Sequence, residues 1–337
     1  MLKKTSGQSG PLINDVEGHS HTRLFNCGEW DRLQISQNGQ DGLVSIIIPC
    51  YGQAHFLPEA IETALRQTYA HIEIIVVDDG SLDDTEQVVS SYPGVKYLFQ
   101  NNQGVSAARN AGLVRSNGRY VLFLDADDRL LPAAVQLGID MFATYPDIAL
   151  VYAPYLVINE FDFKLRPVPY VTVPNPYLEL LKHNHIGNTG CALFQRWVFT
   201  AVGVFDRSVD AAADYDLYLR TARKFRIGSH PEPVMEYRRH NANMSNNSAL
   251  MLKDTLNVLR KQLSYVNGNS ELKEAYRRGR KFWKQAYGER LVDKFWNDLN
   301  ECKLTESLRH LLVIVSYYPE RFMLFVGRRL KNVLYQT

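Results

Sequence analysis

Short apolar runs recur through the first part of the chain, and each is followed by a segment whose apolar residues have helical spacing. The runs occupy residues 44–49, 72–77, 95–99 and 120–124. They are too short for helices, and unbroken apolar character is typical of strands that are covered on both faces. Strands that alternate with helices predict an α/β fold with a mostly parallel, doubly wound sheet and right-handed crossovers.

The later part of this pattern predicts a helix at 131–145, a strand at 148–155 and a short helix at 177–182. A further helix is predicted to begin at Asp214, and a last strand at 234–239. All of these elements belong to the same α/β region.

Changes in the pattern predict three regions. Residues 1–40 are rich in Gly, Ser, Asn, Gln and His with little periodicity, which indicates a loosely ordered N-terminal extension. Residues 41–247 carry the α/β pattern. Residues 248–337 are helical in pattern, basic and poor in glycine, with Trp and Phe set among Lys and Arg.

Two of the apolar runs end on carboxylates. Asp78 and Asp79 follow the second run, and Asp125 and Asp127 follow the fourth. In doubly wound sheets, ligands bind beyond the carboxyl ends of the strands. Carboxylates this crowded repel one another unless a cation lies between them, and oxygen ligands suit Mg²⁺ or Mn²⁺. The alternative is a solvated acidic turn that caps the next helix.

Charge is nearly balanced over the whole chain but not along it. The formal net charge is +2, yet from Lys253 onward there are 17 Lys and Arg residues against 9 Asp and Glu. A basic segment interleaved with aromatic residues predicts peripheral contact with an anionic membrane. The alternative is that these helices pack on the α/β domain or form a homodimer.

The four cysteines lack CxxC spacing and are typical of reduced thiols in a cytosolic protein. The first residues show no apolar signal segment, and no apolar stretch reaches the roughly 18 residues that a transmembrane helix needs. We therefore expect a cytoplasmic protein, with at most peripheral attachment to the inner face of the membrane.

Several nucleotide-binding and hydrolytic motifs are missing from the sequence. GxGxxG does not follow the first strand, and GxxxxGK[ST], GxSxG and HExxH do not occur. A phosphate-binding device in this chain would have to combine a metal ion with side chains.

Seven short segments occur in the order that is seen in family 2 glycosyltransferases, which have the glycosyltransferase-A fold. The segments are VSIIIPCYG, IIVVDDGS, NNQGVSAARNAG, VLFLDADD, GVFD, ADYDLYLR and YRRHNANMS. The resemblance covers about residues 43–247. Each segment is weak evidence alone, but seven in register identify the chain as resembling that family, with 41–247 as its catalytic domain.

The resemblance implies roles in a donor site. Asp79, with Asp78 beside it, resembles the carboxylate that contacts the nucleotide base, and Pro49 and Tyr51 would line that pocket. Arg109 resembles the basic residue near the diphosphate; a structural ion pair is the alternative for it.

The resemblance also implies roles nearer the reacting atoms. Asp125 resembles the carboxylate near the ribose, and Asp127 the one that binds the metal. His240 resembles a histidine near the metal and diphosphate, with an ordinary surface histidine as the alternative. Asp214 resembles the general base of the family's Glu-Asp motif. A carboxylate at a helix start can take the proton of an acceptor hydroxyl, although it can also simply cap the helix.

One position departs from the family pattern. The residue before the base is usually Glu, and here it is Ala213. The substitution leaves Asp214 in place but alters the surroundings in which an acceptor would be oriented.

Taken together, the resemblance implies an inverting, hexosyl-transferring enzyme assisted by Mn²⁺ or Mg²⁺. It would move a sugar from a UDP-linked or other nucleotide-diphosphate sugar to a glycan or lipid-linked acceptor, as in polysaccharide or cell-envelope synthesis, with no nucleic-acid partner. One alternative is a nucleotidyltransferase, which would carry a Gly-rich or Lys-bearing phosphate loop that residues 51–53 do not form. The other, favoured by Ala213, is a catalytically silent protein that binds nucleotide sugars.

Overall fold

The part of the chain that the computed structural model describes comprises residues 12–13, 22–23, 39–168, 170 and 173–320. The predicted extension at 1–40 lies almost wholly outside the described residues. Within it, strand β1 (Leu12–Ile13) pairs antiparallel with β2 (Thr22–Arg23).

A seven-stranded sheet carries the α/β pattern. Its strands, in spatial order, are β12 (Gly228–Ser229), β8 (Leu150–Tyr152), β11 (Ala192–Gln195), β6 (Gly118–Phe123), β3 (Gln40–Cys50), β4 (Ile72–Asp78) and β5 (Lys96–Phe99). Neighbouring strands are parallel, except that β11 runs antiparallel to both β8 and β6. The prediction of a mostly parallel sheet is confirmed.

The order of the strands brings the two acidic clusters to one edge. Strand β3 lies between β4 and β6 and is parallel to both. Parallel strands end at the same edge of a sheet, so the carboxylates that follow β4 and β6 flank the end of β3 at Cys50. Buried aliphatic side chains of these strands, such as Ile47 and Val77, pack in the core and so hold the carboxyl ends of the strands in place.

Five helices accompany this sheet within its compact unit: α1 (Leu57–Leu65), α2 (Thr85–Ser90), α3 (Val105–Arg115), α4 (Ala134–Thr144) and α6 (Trp197–Val202). Helix α3 is built of small residues and lies close to β3, as its composition suggests. A Cβ added at Gly112 would lie 2.4 Å from Cγ2 of Ile47.

A second sheet corrects two predicted elements. Its order is β10 (Lys164–Pro167), β9 (Tyr155–Asn159), β13 (Met235–Arg239) and β7 (Arg129–Leu130). The predicted single strand at 148–155 was wrong, because β8 and β9 pair in different sheets and the chain breaks between them. The predicted helix at 131–145 begins only at Ala134, because the preceding residues pair with β13 and Leu131 N donates to Val234 O.

The chain folds into two compact units. The first takes its described residues from Met1–Tyr170, Asn188–Phe205 and Phe225–Arg238. The second takes them from Val171–Gly187, Asp206–Lys224 and Arg239–Thr337. Two segments of the second unit thus precede the predicted domain boundary at residue 247, which stays a prediction, as does the boundary at residue 40.

The second unit is helical. Its helices are α5 (Pro176–Lys182), α7 (Ala213–Lys224), α8 (Ser248–Lys261), α9 (Leu263–Val266), α10 (Ser270–Trp283), α11 (Glu289–Asn300) and α12 (Leu304–Tyr317), with a π-helical turn at Lys284–Gly288. Helix α10 packs so tightly on α5 that a Cβ at Gly279 would lie 1.9 Å from the carbonyl oxygen of Leu181. None of the described helices combines the length and the apolar character that a bilayer crossing requires.

Candidate functional site

Asp79 fixes the loop that leads into α3. Its Oδ1 accepts hydrogen bonds from Gln100 Nε2 at 2.6 Å and from Gln103 N at 2.9 Å, and its Oδ2 accepts from Gly104 N at 2.8 Å. The side chain is buried. Three donors aimed at one carboxylate compensate the loss of water around its charge, so Asp79 is held as a rigid acceptor at the edge of the sheet.

Asp78 is satisfied in the same way by its own surroundings. Its Oδ1 accepts from Ser81 N at 2.8 Å, and its Oδ2 accepts from the Tyr97 hydroxyl at 2.7 Å. Burial and the hydrogen bond to Asp78 raise the pKa of Tyr97, so the phenol keeps its proton and stays a donor. Asp78 therefore shapes the turn after β4.

The end of β3 supplies an aromatic surface beside these carboxylates. Pro49 is buried and pairs with Val77 of β4, whereas the Tyr51 side chain that follows is 57% exposed. Gly52 adopts a left-handed φ of 65°, and its N–H donates to Ser81 Oγ at 3.0 Å. The loops after β3 and β4 are thereby tied together, and Tyr51 offers a ring on which a planar group can stack.

The acidic turn, residues Asp125 to Asp128, follows β6. Asp128 N donates to the carbonyl oxygen of Asp125 at 3.0 Å, which closes the turn. Asp127 is mostly buried, and its Oδ2 accepts from Gln53 Nε2 at 3.2 Å. Gln53 belongs to the loop after β3, so the two loops meet at Asp127.

The structure brings Arg109 and Asp125 together. Arg109 Nη2 lies 2.6 Å from Asp125 Oδ1, and the guanidinium of this buried arginine also faces the ring of Phe205 at 5.3 Å. This contact is the ion pair that we considered as the alternative role for Arg109. Its contact with a diphosphate stays a prediction.

Asp128 and Asn188 also belong to the site, although sequence reasoning gave a role to neither of them. Asn188 Nδ2 bridges two carboxylates, donating to Asp125 Oδ2 at 3.2 Å and to Asp128 Oδ2 at 2.8 Å. Asp128 is fully buried, and its burial, followed by the charges of Asp127 and Asp125, raises its pKa well above the ordinary value. Burial therefore favours the protonated form of Asp128, and the neighbouring carboxylates add to this effect. A cation bound at the turn would offset the repulsion among the three carboxylates.

Arg238 is another residue that sequence reasoning passed over, although it lies in the quoted segment YRRHNANMS. Its backbone N–H donates to Asp128 Oδ1 at 2.9 Å, and its Nε donates to the carbonyl oxygen of Asp127 at 3.1 Å. No local sequence signal marks it, because the pairing of β13 with β7 that brings it to the turn is visible only in the structure.

The acidic turn fits a divalent ion as a partial ligand set. No group of three or more His, Cys, Asp or Glu side chains that would hold a metal occurs among the described residues. Mg²⁺, however, is commonly bound by one or two carboxylates together with substrate phosphates and water. In such an arrangement Asp127 would be the carboxylate that the protein contributes, and its role as a metal ligand stays a prediction.

Asp214 belongs to the second unit, in the first turn of α7. Its Oδ1 accepts a hydrogen bond from the N–H of Tyr215 at 2.7 Å, and the side chain is half-buried. Burial raises the pKa of Tyr287, Arg290 opposes that rise, and the charge of Asp214 adds to it. The preceding Ala213 is buried and offers no polar group.

His240 also lies in the second unit. Its backbone N–H donates to Asn243 Oδ1 at 2.6 Å, its ring Nε2 lies 3.3 Å from Asn243 Nδ2, and its carbonyl oxygen accepts from Asn246 Nδ2 at 2.9 Å. This asparagine-rich turn fixes the histidine backbone. The predicted roles of Asp214 and His240 stay predictions.

Comparisons with known proteins find glycosyltransferases. A family model described as glycosyl transferase family 2 matches residues 45–203. An uncharacterized glycosyltransferase of Rickettsia prowazekii is 33% identical over 226 residues, which cover 65% of this chain and 71% of that protein. Chondroitin synthase of Escherichia coli is 30% identical over 190 residues, which cover 53% of this chain and 26% of the synthase.

Solved structures share the fold. Residues 1–349 of S. aureus TarS in complex with UDP-GlcNAc give a TM-score of 0.58 at 17% identity, covering 82% of each chain. The mannosyltransferase PcManGT from Pyrobaculum calidifontis, in complex with GDP-Man and Mn²⁺, gives 0.53 at 17% identity, covering 85% of this chain and 79% of that one. At these identities the likeness concerns the fold, and the predicted fold class is confirmed.

Proposed function

Because the chain belongs to glycosyl transferase family 2, we propose that it moves a sugar from a UDP-sugar to a hydroxyl group of a glycan or lipid-linked acceptor, with inversion at the anomeric carbon. Glycosyl transfer follows from the family; the donor, the inversion and the metal are the proposal. The observation that carries it is the acidic turn at the carboxyl end of β6, where Asp127 lies beside an Asp125 held by Arg109. The complexes of fold relatives with UDP-GlcNAc and with GDP-Man and Mn²⁺ support a nucleotide-sugar donor.

The first unit provides the groups for the donor. Tyr51 stacks on the base, Pro49 lines the same pocket, and Asp79 accepts a hydrogen bond from the base edge. Asp125 contacts the ribose. Arg109 contacts the diphosphate while its ion pair with Asp125 keeps the guanidinium in place.

Asp127 holds Mn²⁺ or Mg²⁺ together with the donor's diphosphate, and His240 is assigned to the same ion and diphosphate. When bound, the ion offsets the negative charge that the diphosphate acquires as it leaves. Without a cation, the same carboxylates would repel the nucleotide.

Asp214 is the proposed base. The acceptor hydroxyl attacks the anomeric carbon on the face opposite the diphosphate, the carbon–oxygen bond to the diphosphate breaks, and the hydroxyl proton passes to the Asp214 carboxylate. Oδ1 of Asp214 accepts a hydrogen bond from the Tyr215 N–H, which orients the carboxylate. One displacement of this kind inverts the anomeric configuration.

Replacing Asp214 tests this assignment. Asp214→Asn keeps the shape and an oxygen for the Tyr215 N–H but removes the basicity, and general-base catalysis contributes about 10² to 10⁴ in rate. Transfer from UDP-sugars, measured as acceptor-dependent UDP release, is expected to fall by that factor with little change in UDP affinity or melting temperature.

The opposite pattern would show that Asp214 only supports its helix. In that case Asp214→Asn would retain full turnover, whereas Asp214→Ala would lower the free energy of unfolding by about 1 kcal/mol. Full activity in Asp214→Asn would therefore refute the base assignment.

A second candidate function, a silent nucleotide-sugar-binding protein, is favoured by Ala213, a buried residue where the resemblance leads us to expect a glutamate. The same assay separates the two. A silent binder would show metal-dependent UDP affinity but no acceptor-dependent UDP release with any acceptor class.

The location of the acceptor is also proposed. Helix α12 exposes an apolar stripe of Leu304, Leu308, Leu312 and Val315, and the sequence after it, residues 321–337, contains four Lys or Arg and no Asp or Glu. These features support peripheral binding of a cytoplasmic protein to the anionic inner face of a membrane. If Leu308→Gln with Leu312→Gln does not reduce sedimentation with phosphatidylglycerol vesicles, this location is refuted; a loss of dimer in gel filtration would instead assign the stripe to self-association.

A further inference from the structure

Arg238 is among the largest fully buried side chains in the described part of the protein, and it contacts the acidic turn. Its backbone N–H donates to the Asp128 carboxylate and its Nε donates to the backbone carbonyl of Asp127. It thus holds both residues at the end of the turn.

The other arms of the guanidinium reach two further elements. Nη2 donates to Glu59 of helix α1 at 2.6 Å, and Nη1 donates to Asp162 of the β9–β10 connection at 2.7 Å. The carbon of the guanidinium also lies 5.0 Å from the centre of the Phe56 ring. A rigid planar fork with several donors connects α1, the hairpin and the turn at once, which a lysine ammonium on a flexible stem does not reproduce.

Arg238 contacts the turn through its backbone as well as through a carboxylate. Its Nε reaches Asp127 at the backbone oxygen, whereas Oδ2 of Asp127 accepts a hydrogen bond from the amide of Gln53. Asp125, at the start of the turn, forms an ion pair with Arg109. Arg238 therefore holds the backbone of the turn at Asp127.

Stability alone does not account for such a residue. Burying an arginine among carboxylates costs desolvation energy that its ion pairs only roughly recover, and apolar replacements of buried ion pairs are often as stable. Groups that orient a metal ligand, in contrast, commonly affect metal affinity by about 10- to 100-fold when they are removed.

We propose that Arg238 is a positioning residue that fixes the backbone of the acidic turn so that Asp127 can bind the divalent ion together with the donor's diphosphate. This inference rests on the proposed function, since it presumes an ion at Asp127. Metal affinity would then depend on Arg238, a residue that contacts neither the donor nor the acceptor.

The test compares the same substitution at two neighbouring arginines. Arg129 shares Glu59 and Asp162 with Arg238 and pairs in addition with Glu236. Arg238→Lys and Arg129→Lys are titrated with Mn²⁺ at fixed UDP, with free Mn²⁺ followed by electron paramagnetic resonance, and their melting temperatures are recorded. UDP binding in EDTA is measured alongside.

We expect the Mn²⁺ dissociation constant to rise about tenfold or more in Arg238→Lys. In Arg129→Lys it should change less than about twofold, and UDP binding in EDTA should be equal in both variants. A purely structural role would lower the melting temperature of Arg238→Lys and leave its Mn²⁺ affinity like that of the wild type. That result, or an equal loss in Arg129→Lys, overturns the inference.

A second pair of variants keeps the inference falsifiable if Arg238→Lys does not fold. Glu59→Gln with Asp162→Asn replaces the two charged partners at the far side of the Arg238 fork with neutral acceptors of the same shape. Glu236→Gln, which removes the charge of a carboxylate that pairs with Arg129, is the control. Weaker Mn²⁺ binding confined to the double variant supports the inference, and unchanged binding overturns it.

Failure of the proposed function looks different from failure of this inference. If wild-type UDP binding is the same with Mn²⁺ and in EDTA, the metal itself is refuted, and the role of Arg238 with it. If wild-type binding depends on Mn²⁺ and Arg238→Lys shows the same dependence, only the positioning role is refuted.

Discussion

The two acidic clusters of the first unit occupy equivalent places, at the ends of β4 and β6, but they are built differently. Asp78 and Asp79 accept hydrogen bonds from backbone N–H groups, a glutamine and a tyrosine. The cluster after β6 has three carboxylates in four positions, an arginine paired with Asp125, and a buried Asp128 with a raised pKa. Carboxylates at a strand end can thus be held by neutral donors or lie crowded together, and we propose that only the crowded cluster binds a cation.

The largest expected effect lies in the cluster after β6. Asp127→Asn removes the charge that the proposed ion binds, and losing one charged partner of a buried pair costs about 2–5 kcal/mol. UDP affinity in Mn²⁺, measured by calorimetry, should fall on the order of 100-fold, while the affinity in EDTA should not fall, because the lost carboxylate only repels UDP when no cation is present. If Asp127→Asn keeps the wild-type response to Mn²⁺, the cluster after β6 does not bind the cation through Asp127, and the proposed difference between the two clusters is refuted.

A smaller effect, of a different kind, is expected at the end of β4. In Asp79→Asn the new amide must face one of the present donors, and a hydrogen bond to a charged group contributes about 1.5–3 kcal/mol. The free energy of unfolding in urea should fall by roughly that amount.

The ratio of UDP affinities with and without Mn²⁺ should stay unchanged in Asp79→Asn, even though the proposed base contact lowers both. If Asp79→Asn is as stable as the wild type but responds less to Mn²⁺, the cation binds at the end of β4 and not at the end of β6.

The smallest effect concerns pH. Since burial and its neighbours raise the pKa of Asp128 in the folded state, the folded protein binds more protons than the unfolded chain at pH values between the ordinary carboxyl pKa, about 4, and the raised one. Stability therefore falls as pH rises through that interval.

In EDTA, the melting temperature of the wild type relative to Asp128→Asn should improve when pH is lowered from about 7.5 to about 5. Mn²⁺ with UDP should reduce this dependence, because a cation at the turn offsets the repulsion. A pH-independent difference between the two proteins would show that the turn holds no unrelieved charge.

Sequence patterns predicted the sheet well because buried parallel strands leave continuous apolar runs, and β3, β4 and β6 were all recognised. They failed at 148–155, where the apolar character continues although β8 and β9 belong to different sheets. Hydrophobicity reports burial, and burial alone does not say which sheet a strand joins.

The site was predictable in part for the same reason. Aspartates at strand ends stand out in a sequence, and Arg109 and Asp125 were both singled out before their ion pair was visible. Asn188 and Arg238 were not, because each acts on the turn from 60 or more positions away along the chain. Long-range hydrogen bonds of this kind leave no local period or spacing.

The alternation of the chain between its two compact units has a consequence for protein synthesis. Helices α5 and α7 leave the ribosome before their packing partners: Leu181 of α5 meets Gly279, and Tyr215 of α7 lies 5.6 Å from the ring of Trp283. At roughly 5–20 residues per second, several seconds pass before α10 is translated. During that time α7, which carries Asp214, lacks the surface that buries it, so ribosome-bound chains in which α7 has emerged but α10 has not are expected to be targets for chaperones and proteases.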